Sequence, residues 1–169
     1  MMIETYDDLI SEEDVHSIYS EVTSLSYRFF ETDDQNGKVT GSSCKLSNGS
    51  FTLHLLTKTL INIFPEFPEQ YTLDRAYVNC FVPGENPCFH RDSNISEDRT
   101  LIYYANPLFD YDIDEGGTTD FLDAENRQLK SVFPIAGRIC IFDSSIYHKA
   151  NSFRDAHRYT VALKLHHQG

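Results

Sequence analysis

Residues 88–93 read CFHRDS and place His90 and Asp92 one residue apart, directly after a segment with the composition of a β-strand. In an extended segment, residues i and i+2 point to the same face, so these two side chains can converge on one ion. An isolated His-x-Asp is nevertheless more often a solvated loop than a metal site. Its interpretation therefore depends on whether the rest of the chain supplies a third ligand.

The candidate third ligand is His148, which follows the apolar strand pattern RICIF at residues 138–142. Metal centres that leave positions open for oxygen chemistry bind Fe(II) with two histidines and one carboxylate. Arg158 opens the alternating segment RYTVALKL, and such a strand can carry its guanidinium to the same site. Taken alone, Arg158 would more often pair with Asp155 on the surface, and His148 would be an ordinary loop histidine. Their order and spacing together favour a metal site.

Length and composition indicate a globular protein. The chain has 169 residues, of which 40% are hydrophobic and 24% charged. About 100–200 residues per domain is usual, so we expect a single domain over residues 1–169. The four cysteines form no Cys-x-x-Cys pair, so neither a zinc site nor a disulfide framework is indicated. Because neither a signal-peptide pattern nor a stretch of about 18 apolar residues occurs, we expect a cytoplasmic protein without membrane contact.

The charge balance bears on partners. With 14 Lys+Arg against 26 Asp+Glu, the formal net charge is −12 with neutral histidines. A field of this sign repels phosphate backbones, so a nucleic-acid partner is disfavoured. A local basic groove could override this expectation, since net charge does not describe how charges are distributed.

Helical patterns occur in the N-terminal part of the chain. Ser11 begins a motif that resembles a capping box, and the apolar spacing that follows predicts a helix over about Glu12–Ser24. A second helix is predicted to be capped by Asn48 or Ser50 and to end at the helix breakers Pro65 and Pro68. Between these helices, residues 26–33 are predicted to form a strand.

The polar loop over residues 33–48 is long for a compact domain, and we expect it to cover a site as a lid. From Thr72 onward, short strand patterns alternate with turn residues, which favours a β-sandwich or jelly roll packed against the helices. Helical support is thus expected over about residues 1–70 and a β core over about 71–166. The predicted core strands are residues 73–82, 99–106, 118–123, 129–135, 137–143 and 158–165.

These residues resemble the Fe(II)/2-oxoglutarate-dependent dioxygenases, in which a His-x-Asp pair is followed by a distal histidine and then by a basic residue. The resemblance is to the prolyl 4-hydroxylase-like branch and covers roughly Leu73–Leu165. It implies a mainly β fold with flanking N-terminal α-helices, namely a double-stranded β-helix of the jelly-roll, cupin-like type. The similar blocks are YVNCFVPGENPCFHRDS, LIYYANPLFD, EGGTTDFLD, SVFPIAGRICIFDSSIYHKA and HRYTVALKL.

The resemblance implies that His90, Asp92 and His148 form the catalytic centre and bind Fe(II). In the family, 2-oxoglutarate and O2 are cosubstrates, and oxidative decarboxylation gives succinate and CO2 while the substrate gains a hydroxyl. Ascorbate is a further candidate cofactor. The carboxylate of Asp92 argues against a halogenating enzyme, because halogenating relatives carry a small residue at this position.

The same resemblance assigns the binding of 2-oxoglutarate. Arg158 is expected to bind the distal carboxylate through two parallel hydrogen bonds, as a guanidinium can. Tyr104 matches the tyrosine whose hydroxyl assists that arginine. Thr160, two residues beyond Arg158 on the same strand face, is expected to contribute a hydroxyl.

The substrate is the most open part of the interpretation. The resemblance implies a protein or peptide partner, with a peptidyl proline bound across the mouth of the barrel and Arg75 and Arg99 as candidate contacts at its rim. Because the catalytic blocks come without a separate peptide-binding domain, free amino acids, small metabolites and other protein side chains stay open. A nucleobase demethylase is disfavoured by the net charge. From another class, a non-catalytic jelly-roll module that binds metal is the alternative, although it would have no use for Arg158.

Overall fold

The computed structural model describes residues 2–29, 39–123, 125 and 127–169. Residues 30–33 of the predicted strand and 33–38 of the predicted lid lie outside the described residues. The described part contains nine strands, three α-helices and one short 3₁₀ helix (Ile113–Glu115). In chain order the elements are β1 (Ile3–Tyr6), α1 (Glu12–Ser24), β2 (Ser42–Lys45), α2 (Phe51–Ile63), α3 (Phe67–Gln70), β3 (Tyr71–Phe81), β4 (Arg99–Tyr104), β5 (Thr119–Leu122), β6 (Gln128–Val132), β7 (Ile139–Asp143), β8 (His148–Ala150) and β9 (Arg158–His167).

Both long helices begin at a capping serine. The Ser11 hydroxyl accepts a hydrogen bond from the backbone N–H of Asp14 at 3.1 Å, and α1 has the predicted bounds. The Ser50 hydroxyl accepts one from the N–H of Leu53 at 3.1 Å, so Ser50 and not Asn48 caps α2. None of the helices in the described part of the chain is long and apolar enough to cross a membrane.

The strands form two antiparallel sheets. The large sheet has the order β1-β7-β4-β9-β3-β2, and the small sheet has the order β6-β5-β8. A bridge between His90 and His148 adds the segment before Asp92 to the small sheet beside β8. The fold is a mainly β double-stranded β-helix with N-terminal helices, which confirms the predicted fold class.

Alternation along the strands of the large sheet separates two cores. In β4, Tyr103 packs on the helix side of the sheet, whereas Tyr104 packs between the two sheets. The helix-side core includes Val15 and Ile18 of α1, and the core between the sheets includes Phe121. This alternation turns one face of β9 toward the interior of the barrel, where the candidate site lies.

Several elements differ from the sequence-based prediction, among them α3, which was not predicted, and the predicted strand at residues 26–33, of whose described residues only Arg28 forms a bridge. The strand β1 lies at the edge of the large sheet, where it pairs with β7, and only four residues carry its pattern. His148 begins the strand β8 and does not lie in a loop. The sequence did not predict this strand because three residues are too few to show an alternating pattern. The strand β9 continues to His167, since its last residues pair with Tyr71 and Thr72 of β3.

Candidate metal centre and anion site

His90, Asp92 and His148 come together where the segment before Asp92 meets β8. The backbones of His90 and His148 exchange hydrogen bonds of 3.0 and 2.9 Å, and their ring centroids lie 4.5 Å apart. The N–H of Asp92 donates to the carbonyl of Ser144 at 3.0 Å, which holds the aspartate at the end of β7. One ligand atom from each of the three side chains lies within 4.8 Å of the others, which is a separation suited to one metal ion.

Backbone carbonyls orient both imidazoles. The Nδ1 atom of His90 lies 3.2 Å from the carbonyl of Cys88, and Nδ1 of His148 lies 3.0 Å from that of Ile146. Because a carbonyl only accepts, both Nδ1 atoms carry the proton, and Nε2 becomes the ligand atom. The Nε2 atoms lie 3.6 and 3.5 Å from the two oxygens of Asp92. This donor set fits Fe(II).

The charges of the buried ligands also suit a cation. Burial lowers the pKa of His148 to about 4, so this imidazole is neutral at neutral pH. Burial would raise the pKa of Asp92, but Lys164, His148 and His90 together hold it well below its ordinary value. The site therefore offers neutral nitrogen atoms and an ionised carboxylate, as metal ligation requires.

Arg158 also lies in the barrel interior, at the end away from His90 and His148, and is 1% exposed. Its guanidinium donates to the carbonyl of Gly117 at 2.8 Å and to the hydroxyl of Thr119 at 2.9 Å, and it lies 3.5 Å from the hydroxyl of Thr160. Within the described part of the chain, no carboxylate contacts it. The surface pair with Asp155 that the sequence left open does not form, because Asp155 pairs with Arg154.

Tyr104 reaches this end through Thr119. Its hydroxyl donates to the Thr119 hydroxyl at 2.7 Å, so one threonine oxygen accepts from both Tyr104 and Arg158. Burial raises the pKa of Tyr104, which keeps the phenol protonated. The Tyr104 hydroxyl therefore reaches Arg158 through Thr119, while the Arg158 guanidinium lies 5.6 Å from the centroid of the Tyr104 ring.

A single interior cavity connects the two ends. His90 and His148 line it at one end and Arg158 and Thr160 at the other, together with residues of β3 that include Tyr77. A second cavity of about 350 Å³, which we term the mouth groove, opens beside Asp92. The mouth groove is lined by Asp74, Arg75, Asp92, Ser93, Asp98, Ser144, Lys164, Leu165 and His166.

The two predicted rim arginines lie in different places. Arg75 lines the mouth groove, where its Nε lies 3.1 Å from a carboxylate oxygen of Asp74. Arg99 instead pairs with Asp143 at 3.1 Å and lines a separate cavity beneath α2 and α3. Of the two, only Arg75 is placed to meet a substrate at the mouth groove.

Sequence reasoning missed three residues of the site. Thr119 joins Arg158 to Tyr104, and Thr100 donates its hydroxyl to Asp92 Oδ2 at 2.6 Å. Lys164 forms a buried ion pair with the same Asp92 oxygen. A signal for Lys164 was available, because it continues the alternation that begins at Arg158 on β9.

Residues 77–166 match a family model described as the 2OG-Fe(II) oxygenase superfamily. The match spans more than half of the 169 residues, and the chain belongs to this superfamily. It is accordingly a 2-oxoglutarate-dependent dioxygenase, a class that uses Fe(II) and 2-oxoglutarate. No curated protein matches the chain.

Solved structures share the fold at low sequence identity. A prolyl hydroxylase from Trichoplax adhaerens, in complex with a hypoxia inducible factor oxygen degradation domain peptide, is 16% identical with a TM-score of 0.74, covering 96% of this chain and 82% of that chain. A prolyl-4-hydroxylase from Pseudomonas putida is 14% identical with a TM-score of 0.73, covering 99% and 93%. HygX from Streptomyces hygroscopicus, with nickel, 2-oxoglutarate and hygromycin B bound, is 12% identical with a TM-score of 0.71, covering 96% and 82%.

Proposed function

We propose that this single-domain dioxygenase hydroxylates its substrate at an Fe(II) bound by His90, Asp92 and His148, with 2-oxoglutarate anchored by Arg158. The observation that carries the proposal is the Arg158 guanidinium, which is buried without a carboxylate partner among the described residues and lines the same cavity as both histidines. A purely structural metal site would need no such cation. The family match likewise speaks against the non-catalytic jelly-roll module.

At the metal end, the protein supplies oriented ligands. The Cys88 and Ile146 carbonyls hold the imidazoles of His90 and His148 with Nε2 toward Asp92. When bound, Fe(II) would supply the oxidative chemistry that couples decarboxylation of 2-oxoglutarate by O2 to hydroxylation of the substrate. Three protein ligands leave coordination positions open for these cosubstrates.

At the other end, the protein supplies one buried positive charge. Burying a charge without a counter-charge is costly, and a dicarboxylate that enters the cavity would provide the missing carboxylate. Arg158 can hold that carboxylate with two parallel hydrogen bonds, while Thr119 and Thr160 keep the guanidinium in place. Tyr104 in turn donates a hydrogen bond to the Thr119 hydroxyl.

For the substrate, our first proposal is a peptidyl proline in a protein or peptide. The fold is shared with a prolyl hydroxylase that holds a peptide fragment and with a bacterial prolyl-4-hydroxylase. The mouth groove, of about 350 Å³ beside Asp92, would offer an extended peptide a place to bind next to the proposed metal centre. A small-molecule substrate is the second candidate, because HygX, with the same fold, binds hygromycin B.

The site assignment is tested by anaerobic titration of metal-free protein with Fe(II) and then 2-oxoglutarate, followed by visible absorption. We expect the weak charge-transfer band of a metal-chelated keto acid in wild type and no band in His148→Ala. Arg158→Met should require far more 2-oxoglutarate to reach the same band, whereas Arg154→Met, an exposed arginine nearby, should behave as wild type. A full band in His148→Ala would show that the ligand set is wrong.

The substrate proposal is tested separately once the band is established. Proline-containing peptides and free amino acids are incubated with Fe(II), 2-oxoglutarate and O2, with and without ascorbate. Mass spectrometry then identifies products heavier by one oxygen atom. Turnover of free amino acids without turnover of any proline peptide would replace the first proposal by the second.

A further inference from the structure

Lys164 is a buried lysine in direct contact with a proposed metal ligand. Its Nζ pairs with Asp92 Oδ2, and it lies 5.7 Å from the ring centroid of Tyr77, with which it also forms a hydrogen bond. The Lys164 side chain is 9% exposed and that of Asp92 is 8% exposed. Both charges are thus largely withdrawn from water.

The position of Lys164 follows from strand alternation. Arg158, Thr160, Ala162 and Lys164 occupy successive inward positions of β9, and all four line the interior cavity. Lys164 also lines the mouth groove. Its ammonium group therefore lies on the wall between the two cavities, next to the proposed metal centre.

The ionisable side chains around the mouth groove form three separate pairs. The Nε atom of Arg75 lies 3.1 Å from Asp74, and Nδ1 of His166 lies 3.0 Å from Asp98. Among the described contacts, Asp92 is the one carboxylate that pairs with Lys164. Asp92 must therefore serve two cations, the Lys164 ammonium group and the metal.

We propose that Lys164 is a positioning residue that acts as the built-in counter-cation of Asp92 and competes with the divalent metal for its carboxylate. The inference rests on the proposed function, because it takes Asp92 as a metal ligand. Lys164 balances the carboxylate in the metal-free protein. It weakens metal binding, so that occupancy of the centre depends on metal availability.

Two opposing effects decide the sign. The ammonium group orders the Asp92 carboxylate, which favours metal binding, and it repels a divalent cation bound to that carboxylate, which disfavours it. Thr100 also holds Oδ2, at 2.6 Å, and the Asp92 N–H bonds to Ser144, so most of the ordering persists without Lys164. Repulsion between buried like charges is weakly screened, and it dominates.

The test is a titration of metal-free protein with Co(II) alone, measured by calorimetry and by cobalt absorption, without any turnover. Lys164→Gln keeps a hydrogen-bond donor near Asp92 and removes the charge. We expect it to bind Co(II) at least about tenfold more tightly than wild type. Lys164→Met should do the same with a lower Tm in the metal-free state, and Lys164→Arg should return the affinity to near the wild-type value.

Lys149→Met is the matched control, since Lys149 follows His148 in sequence but its ammonium lies 5.1 Å from the ring centroid of Phe89, away from the cavity. It should bind Co(II) as wild type does. A gain smaller than tenfold in Lys164→Gln, or weaker binding, would overturn the proposal, because a merely structural lysine would give that result. If a variant is unfolded without metal, its affinity is measured on cobalt-loaded protein by competition with a chelator.

His148→Ala separates this proposal from the function on which it rests. If His148→Ala binds Co(II) as tightly as wild type, the metal ligands themselves are wrongly assigned. If His148→Ala loses binding while Lys164→Gln shows no gain, the metal centre stands and the role of Lys164 as a competitor does not.

Discussion

The two ends of the barrel interior each contain a buried cation on the same face of β9, yet the two cations are treated differently. At the metal end, Lys164 pairs with the carboxylate of Asp92. At the other end, the hydrogen bonds of Arg158 to the described residues go only to a carbonyl and to hydroxyl groups. Burial accordingly lowers the pKa of Arg158, whereas Asp92 and Tyr77 outweigh burial and raise the pKa of Lys164.

This difference indicates the charge of the ligand that each end of the cavity would bind. A buried charge is retained in proteins mainly when it is paired, because an unpaired one destabilises the fold. The metal end holds an anion that is already balanced by a cation, while the Arg158 end lacks its anion. A dicarboxylate such as 2-oxoglutarate would supply the carboxylate that Arg158 lacks. A divalent metal would compete with Lys164 for the carboxylate of Asp92.

The largest effect is expected when the pair at the metal end is broken. Asp92→Ala should abolish turnover, as should His90→Ala, because both remove a proposed metal ligand. Asp92→Ala should also lower the free energy of unfolding of the metal-free protein by about 3–5 kcal/mol, since it leaves the Lys164 ammonium unpaired. Chemical denaturation and a 2-oxoglutarate consumption assay measure both effects. Normal activity in either variant would refute the site assignment.

Removal of the Arg158 cation should weaken 2-oxoglutarate binding strongly and change the stability of the fold only slightly. Arg158→Met is expected to raise the KM for 2-oxoglutarate by about 100-fold, as loss of a charged bidentate contact would. Its free energy of unfolding should stay within about 1 kcal/mol of wild type, since no counter-charge is left unpaired. Steady-state kinetics and urea denaturation measure the two, with Arg154→Met as control. A stability loss as large as that of Asp92→Ala would remove the contrast between the two ends.

The pH dependence of the metal-free protein sharpens the description of the metal end. His148 has a pKa of about 4 in the folded protein against an ordinary value of 6.5. Its neutral form therefore contributes fully to stability above pH 6.5, and this contribution is lost as the pH falls toward 4, because only the unfolded chain takes up the proton. Between pH 6.5 and 5 the loss should be about 2 kcal/mol. The same experiment on His148→Gln, with chelator present, should show a correspondingly smaller decline.

The smallest expected effect concerns the threonine that joins Tyr104 to Arg158. Thr119→Val removes the oxygen that accepts from both side chains, and we expect a loss of about 1 kcal/mol in stability and a KM for 2-oxoglutarate raised about tenfold. Thr119→Ser, which restores the hydroxyl, should recover most of both. An unchanged KM in Thr119→Val would show that the arginine is held by Gly117 and Thr160 alone.

Much of the site could be predicted from local features of the sequence. His90 and Asp92 share a face because they are two residues apart in an extended segment, and Arg158 with Thr160 follows the same rule on β9. The helix bounds at Ser11 likewise follow from a cap whose partner is three residues away. The identity of the family depends on the order and spacing of such short patterns, which a single sequence contains in full.

Only the tertiary structure decided which residues surround that motif. Thr100 and Lys164 reach Asp92 because β4 and β9 pair in a register that sets Thr100 opposite Lys164. Thr119 reaches Arg158 because the small sheet and the large sheet pack against each other around a shared core. The register of distant strands and the packing of two sheets depend on the whole core, whereas a short motif specifies only its own conformation. The pairing of Lys164 and the missing partner of Arg158 are therefore properties of the fold.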